Sequence, residues 1–182
     1  MKDANDSRDS QFEEAAAIYG AALERLARAY EADPDARRDL VQEILIALWR
    51  SFEGFDGRCS LRTWVYRVAH NTAASHVTRQ MRIRQRVFVG LEELAELPDT
   101  TEGEAAAGQR DEIALLYELI EQLRPLDRQV MVAYLEGMDA ASTAEIIGLS
   151  ARNVATKIHR IKQVLSRRFQ ARRFQEGERD ER

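Results

Sequence analysis

The sequence predicts an all-α protein: two small helical domains joined by an acidic linker, the second containing a helix-turn-helix. Three observations carry this. Apolar residues recur at helical spacing in several separate stretches, no stretch alternates apolar and polar residues as a half-buried strand would, and the charge changes sign in blocks along the chain. With 182 residues, 45% hydrophobic and 32% charged, the composition is that of a globular protein. No internal repeat is evident.

The elements follow in order. Residues 1–11 are polar and charged and are expected to be a disordered N-terminus. Phe12, Tyr19, Leu23, Leu26 and Tyr30 then mark one amphipathic helix. Asp33 and Pro34 supply an N-cap and a proline at the first helical position, and Val41, Ile44, Leu45 and Leu48 give a second helix its core face. EGFDGRC, residues 53–59, has two glycines and an aspartate and reads as a loop. Ser60 caps a third helix in which Leu61, Trp64, Val65, Val68 and Ala69 share a face, closing a first domain over residues 12–87. Residues 88–110, including LPDTTEGEAAAG, lack periodicity and read as a linker. Ile113, Leu116, Ile120 and Leu123 resume the helical period, Pro125 breaks it, and a second domain runs over 111–170, followed by a charged tail, 171–182.

Charge segregates strongly. From Gly57 to Phe88 the chain has Arg58, Arg62, Arg67, Arg79, Arg82, Arg84 and Arg86 and no acid, and from Ser150 to Gln175 eight cations again stand without an acid. Between them, Leu91 to Glu112 carries eight acids against Arg110 alone. Basic blocks of this kind are either solvated faces or the electrostatic footprint of nucleic acid.

Several function classes are excluded. The apolar run Ile44–Trp49 is far shorter than the ~20 residues that span a bilayer, and MKDANDSRDS has no apolar signal core, so no membrane insertion and a cytoplasmic location are expected. One cysteine, Cys59, and three scattered histidines leave no internal disulfide and no metal spacing. No convergent acid, base or nucleophile set and no glycine-rich phosphate loop is present, so no catalytic residue, cofactor or metal is assigned and the protein is not read as an enzyme.

The clearest motif is GMDAASTAEIIGLSARNVATKIHRIKQVL, residues 137–165. Asp139 caps a short helix through Ile147, Gly148 supplies the turn, and Ser150 caps the next helix. Val154, Ile158, Ile161 and Leu165 form its inner stripe, leaving Arg152, Asn153, Thr156, Lys157 and Arg160 outward in the half that enters the major groove in this motif. Arginine suits the guanine edge, asparagine the adenine edge, and lysine suits phosphate or guanine. The competing reading is a plain helical hairpin with a solvated basic face.

With both domains read, the chain resembles a bacterial sigma factor of the small extracytoplasmic-function (ECF) type, which keeps only regions 2 and 4. The resemblance covers about residues 12–170 and rests on DLVQE at 39–43, LW at 48–49, FDGRCSLRTWVYRVAHN at 55–71 and the LRPLDRQV, YLEGM, AEIIGLS, NV and KIHR series within 123–160. It implies that the first domain docks on the clamp of core RNA polymerase and captures the melted −10 strand of promoter DNA. The second domain would read the −35 duplex and touch the polymerase flap, with the acidic linker threading between them. No catalytic activity is implied beyond that of polymerase. An anti-sigma protein or a Ser/Thr kinase are the further partners left open. The rival reading is a free-standing helix-turn-helix regulator, which leaves the first domain's basic loop without a role.

The residues fit these implied roles physically. Asp39, Gln42, Glu43, Ile46 and Arg50 fall outside the core face of the second helix and would meet polymerase; the alternative is an ordinary amphipathic helix with one stray isoleucine. On the third helix Arg62, Tyr66, Arg67, His70 and Asn71 lie largely away from the core stripe, giving cations for phosphate, an aromatic for stacking and an amide for a base edge. Trp64 is read as core rather than as a stacking platform. Arg58 and Ser60 sit in the loop where the family holds an extruded base.

Three positions depart from the family pattern. Ala140 and Ala155 stand where an aromatic and a basic residue are usual, and Arg37 and Arg38 replace an acidic pair before LVQE. Cations near a helix start oppose the macrodipole. One reading of the pair is regulatory: docking would await negative charge added by phosphorylation at Ser51, Ser60 or Thr63.

Overall fold

The computed structural model describes residues 2–84 and 109–180. Among these are seven α-helices and no strand: α1 (Lys2–Arg28), α2 (Pro34–Ser51), α3 (Leu61–Arg84), α4 (Gln109–Gln122), α5 (Pro125–Leu135), α6 (Ala140–Ile147) and α7 (Ala151–Asp180). The all-α expectation holds. The expected linker, 88–110, lies almost wholly outside the described residues, and the tail expected from 171 continues α7 as helix to Asp180.

Helix α1 begins at Lys2, inside the stretch expected to be disordered. Its first turns have partners far along the chain. The Arg8 guanidinium lies 3.7 Å from the centroid of the Trp49 ring and pairs with Glu53, and the Trp49 indole N–H donates to Asp9 at 2.8 Å. Composition alone cannot reveal such contacts.

Helix α2 starts as the sequence predicts: the Asp33 carboxylate accepts the backbone N–H groups of Asp35 at 3.0 Å and Ala36 at 2.8 Å, with Pro34 next to the cap. Its fully buried line is Leu40, Ile44 and Leu48, while Val41 and Leu45 are half-buried at its flank. The core face is thus rotated from the expected stripe, because α2 packs on α1 and α3 at once.

Ser60 caps α3, its hydroxyl accepting the Thr63 N–H at 3.0 Å. Burial on α3 extends beyond the expected face to Thr63, Tyr66, His70, Ala73 and His76. Trp64 is half-buried as part of an aromatic cluster with Phe55, 5.3 Å between ring centroids, and its indole N–H donates to Ser51 Oγ at 2.9 Å. This supports the packing reading of Trp64.

In the second group Arg128 is 1% exposed, and its guanidinium donates to the carbonyls of Glu121 and Leu123 at the end of α4. Those carbonyls have no partner within their own helix, so a buried cation fits there. The Asp139 carboxylate accepts the Ser142 N–H at 2.7 Å to cap α6. Gly148 then turns the chain at φ 78°, a left-handed conformation that a side chain disfavours, and Ser150 caps α7. Val154, Ile161 and Leu165 are buried, as expected, with Ile158 half-buried beside them.

The two helical groups are docked. One apolar core runs from Leu23 and Leu26 of α1 through Leu123 and Val130 to Ile161 of α7, and α3 packs on α6. Groups this small leave apolar surface uncovered when alone, which favours such docking.

Candidate nucleic-acid interface

The residues expected to face duplex DNA lie along the N-terminal half of α7. Arg152, Asn153, Thr156 and Arg160 are exposed in its N-terminal half, and the Thr156 hydroxyl donates to the Arg152 carbonyl at 3.0 Å. His159 and Gln163, which lie 3.1 Å apart, are also exposed and extend this face. Sequence reasoning missed them, although their spacing of seven and eleven residues from Arg152 places them on the same helix face. Lys157 corrects an expectation. Its ammonium donates to Asp127 Oδ1 on α5 at 2.6 Å and is turned toward the protein. Asp127, a buried acid of α5 not flagged by the sequence, draws it there.

The first-domain residues are not all open. Arg58 and Ser60 lie exposed in the loop before α3, where Asp56 accepts the Arg58 N–H at 3.2 Å, a bond that holds the Asp56 carboxyl below its usual range. Asn71 is exposed, as expected. Tyr66 and His70, expected to face outward, are instead 2% and 1% exposed. The reason is that α3 is packed on two sides. The His70 ring meets the Tyr30 hydroxyl at 3.1 Å, and burial pushes its pKa down to about 4.

Tyr66 meets the second group of helices. Its hydroxyl donates to Glu136 at 3.2 Å, and burial, together with that carboxylate, pushes its pKa up to about 12. The same carboxylate receives the Arg25 guanidinium through two bonds, Nε at 2.8 Å and Nη2 at 2.7 Å, which raises the arginine's pKa further. Arg62 donates to the Glu136 carbonyl at 2.6 Å and Arg67 to the Glu145 carbonyl at 2.9 Å. Nothing in the sequence marks Glu136 as a meeting point of both groups.

The outward face of α2 matches expectation. Asp39, Gln42, Ile46 and Arg50 are exposed, Ile46 at 51%. Glu43 is half-buried and accepts two bonds from Arg79 at 2.7 and 2.8 Å; burial opposes its charge, but Arg79 outweighs it and lowers its pKa. Arg37 and Arg38 line an open groove between α1, α2 and α4 together with Glu24, Glu118 and Glu121, and Arg38 pairs with Asp35. Arg38 therefore has local acid beside it. The hydroxyls considered for phosphorylation are engaged: Ser51 donates to the Leu48 carbonyl at 2.7 Å, and Ser60 donates to Thr63 Oγ1 at 2.9 Å, with Thr63 itself buried. Nothing in this geometry supports phosphorylation at these positions.

Among the described residues no group of His, Cys, Asp and Glu side chains is arranged to hold a metal, and no helix is long and apolar enough to cross a membrane.

Residues 17–83 match the model of Sigma-70 region 2, and residues 113–165 match that of Sigma-70, region 4. The chain is 30% identical over 166 residues to the RNA polymerase sigma factor CnrH of Cupriavidus metallidurans, covering 85% of this chain and 84% of that protein. It is 28% identical over 141 residues to the ECF RNA polymerase sigma-E factor of Haemophilus influenzae, covering 72% of this chain and 74% of the relative. The solved structure of CnrH in complex with the cytosolic domain of CnrY superposes with a TM-score of 0.67 at 23% identity, covering 93% of this chain and 94% of that one. The chain belongs to the RNA polymerase sigma factors of the ECF type, which direct promoter-specific initiation of transcription.

Proposed function

We propose that this sigma factor divides promoter recognition between its two helical groups, with α7 reading the −35 duplex and the loop and outer face around α3 taking the melted −10 strand. The observation that carries this is the exposed row Arg152, Asn153, Thr156 and Arg160 at the capped start of α7, the position from which a recognition helix reaches base edges. Arg58, Ser60, Arg62 and Asn71 are the first-domain groups exposed for single-strand contact, while Tyr66 and Arg67 are covered in part by the second group.

Core polymerase docks on the outward face of α2, where Asp39, Gln42 and Arg50 surround Ile46. An isolated exposed isoleucine amid polar neighbours suits the centre of an interface with a polar rim. The protein performs no bond chemistry of its own; polymerase does, in the cytoplasm where both act. A protein partner that holds this chain as CnrY holds CnrH would be a regulator.

Footprinting of the reconstituted holoenzyme tests the division of labour. The reading expects protection of two promoter elements, with the upstream one lost selectively in Arg152→Ala. Loss of both elements together, or of the downstream one alone, would sink the assignment of α7.

A further inference from the structure

Two adjacent residues near the start of α1 hold a place far along the chain. The Arg8 guanidinium lies 3.7 Å from the centroid of the Trp49 ring and pairs with Glu53, and the Trp49 indole N–H donates to Asp9 at 2.8 Å. The Arg8 side chain is 13% exposed, so its cation is covered and does not swing freely in water. A cation on an aromatic face, an ion pair and a hydrogen bond thus converge on Arg8 and Asp9. Neither residue belongs to a surface assigned to DNA or to polymerase.

Their partners form one foot of the loop that precedes α3. Glu53 belongs to the short 3-10 turn Phe52–Gly54 that follows α2, and only Gly54 separates it from Phe55, where the loop begins. Phe52 is buried, its carbonyl accepts the Phe55 N–H at 3.4 Å, and the two rings lie 5.9 Å apart between centroids. Phe55 in turn meets Trp64, whose indole N–H is bonded to Ser51. From this packed foot the chain exposes Asp56, Gly57 and Arg58 and returns at Ser60, the cap of α3. So short a loop takes its shape from where its two ends are held, and a binding group is precise only when its support is locked. We propose that Arg8 and Asp9 are positioning residues for promoter selection: through Glu53 and Trp49 they brace the 3-10 turn, and so hold Arg58 and Ser60 where the loop takes a base of the melted strand. This rests on the assignment of Arg58 and Ser60 to single-strand contact.

The test uses core polymerase with the full-length chain, two brace variants, Arg8→Ala and Glu53→Ala, and a loop control, Arg58→Ala with Ser60→Gly, glycine being tolerated at a cap. Glu53 is exposed, so Glu53→Ala removes the partner of Arg8 without threatening the fold and keeps the test alive if Arg8→Ala fails to fold. Each holoenzyme is offered fork DNA with a duplex upstream half and a single-stranded downstream half, both randomised, and the retained molecules are sequenced. The brace predicts that each brace variant lowers base enrichment in the downstream half by about three- to fivefold, the scale of one cation–π or ion-pair contact. Upstream enrichment and affinity for core polymerase should stay unchanged, and the loop control should lose enrichment at the same downstream positions. Full downstream enrichment in either folded brace variant, beside a loss in the loop control, would overturn the brace and leave the loop assignment standing. Equal loss in both halves, or weaker binding of core polymerase, would reveal a merely structural role and overturn it as well. Full enrichment in the loop control would overturn the assignment of Arg58 and Ser60, and the brace with it.

Discussion

Lys157 of the recognition helix donates to Asp127 of α5 at 2.6 Å, with the Asp127 side chain 10% exposed and the Lys157 side chain 31% exposed. The pair ties α7 to α5, and it turns one cation away from the row proposed to face duplex DNA. Lys157→Ala should therefore destabilise the protein by about 1–3 kcal/mol, the cost of leaving a mostly buried acceptor unsatisfied. It should leave the salt dependence of duplex binding nearly unchanged. A lost phosphate contact at Arg160→Ala should instead flatten the log–log salt slope by about 0.9. Chemical denaturation and salt-titrated binding separate the two variants; a flattened slope for Lys157→Ala would show that the lysine turns outward on DNA.

His70 makes stability depend on pH. Burial lowers its pKa from 6.5 to about 4, with Tyr30 and Tyr66 as its ring neighbours. Between these values the unfolded chain binds a proton that the folded one refuses, so its contribution is full above pH 6.5 and is lost as pH falls toward 4. The loss is on the order of 3 kcal/mol. Urea midpoints measured across that interval should fall for the wild type, and the decline should be shallower in a folded His70→Gln. Parallel curves for the two proteins would contradict the assignment.

The helix boundaries were legible because their causes are local. Asp33 with Pro34, Ser60, Asp139, Gly148 and Ser150 each act within four residues, so the sequence displays both the cap and the helix it starts. The exposure of Arg152, Asn153, Thr156 and Arg160 on α7 was legible for the same reason, and so was the outward face of α2. What stayed hidden depends on contacts between distant elements. Tyr66 and His70 read as outward on the third helix, and packing against both α1 and the second group buries them. Lys157 and Arg152 look alike in sequence; an acid thirty residues away distinguishes them. Arg8, Asp9 and Trp49 likewise order the start of α1 across most of the first domain.

Ile46 separates folding from docking. It is 51% exposed on α2 and absent from the buried core, so Ile46→Ala should change stability by less than about 0.5 kcal/mol. If polymerase covers it, the lost apolar burial is worth about 1.5 kcal/mol and weakens core binding roughly tenfold. Competition between labelled wild type and the variant for core polymerase measures this. Equal affinity would move the docking surface away from the centre of α2.

The central claim is that this chain confers promoter selection on polymerase through two separate DNA-reading surfaces. Run-off transcription with purified core polymerase, the full-length protein and a library of genomic fragments tests it most directly. The account predicts discrete transcripts that require the added protein and that are strongly reduced by Arg152→Ala. Absence of any protein-dependent transcript across the library, from a preparation that binds core polymerase, would contradict it.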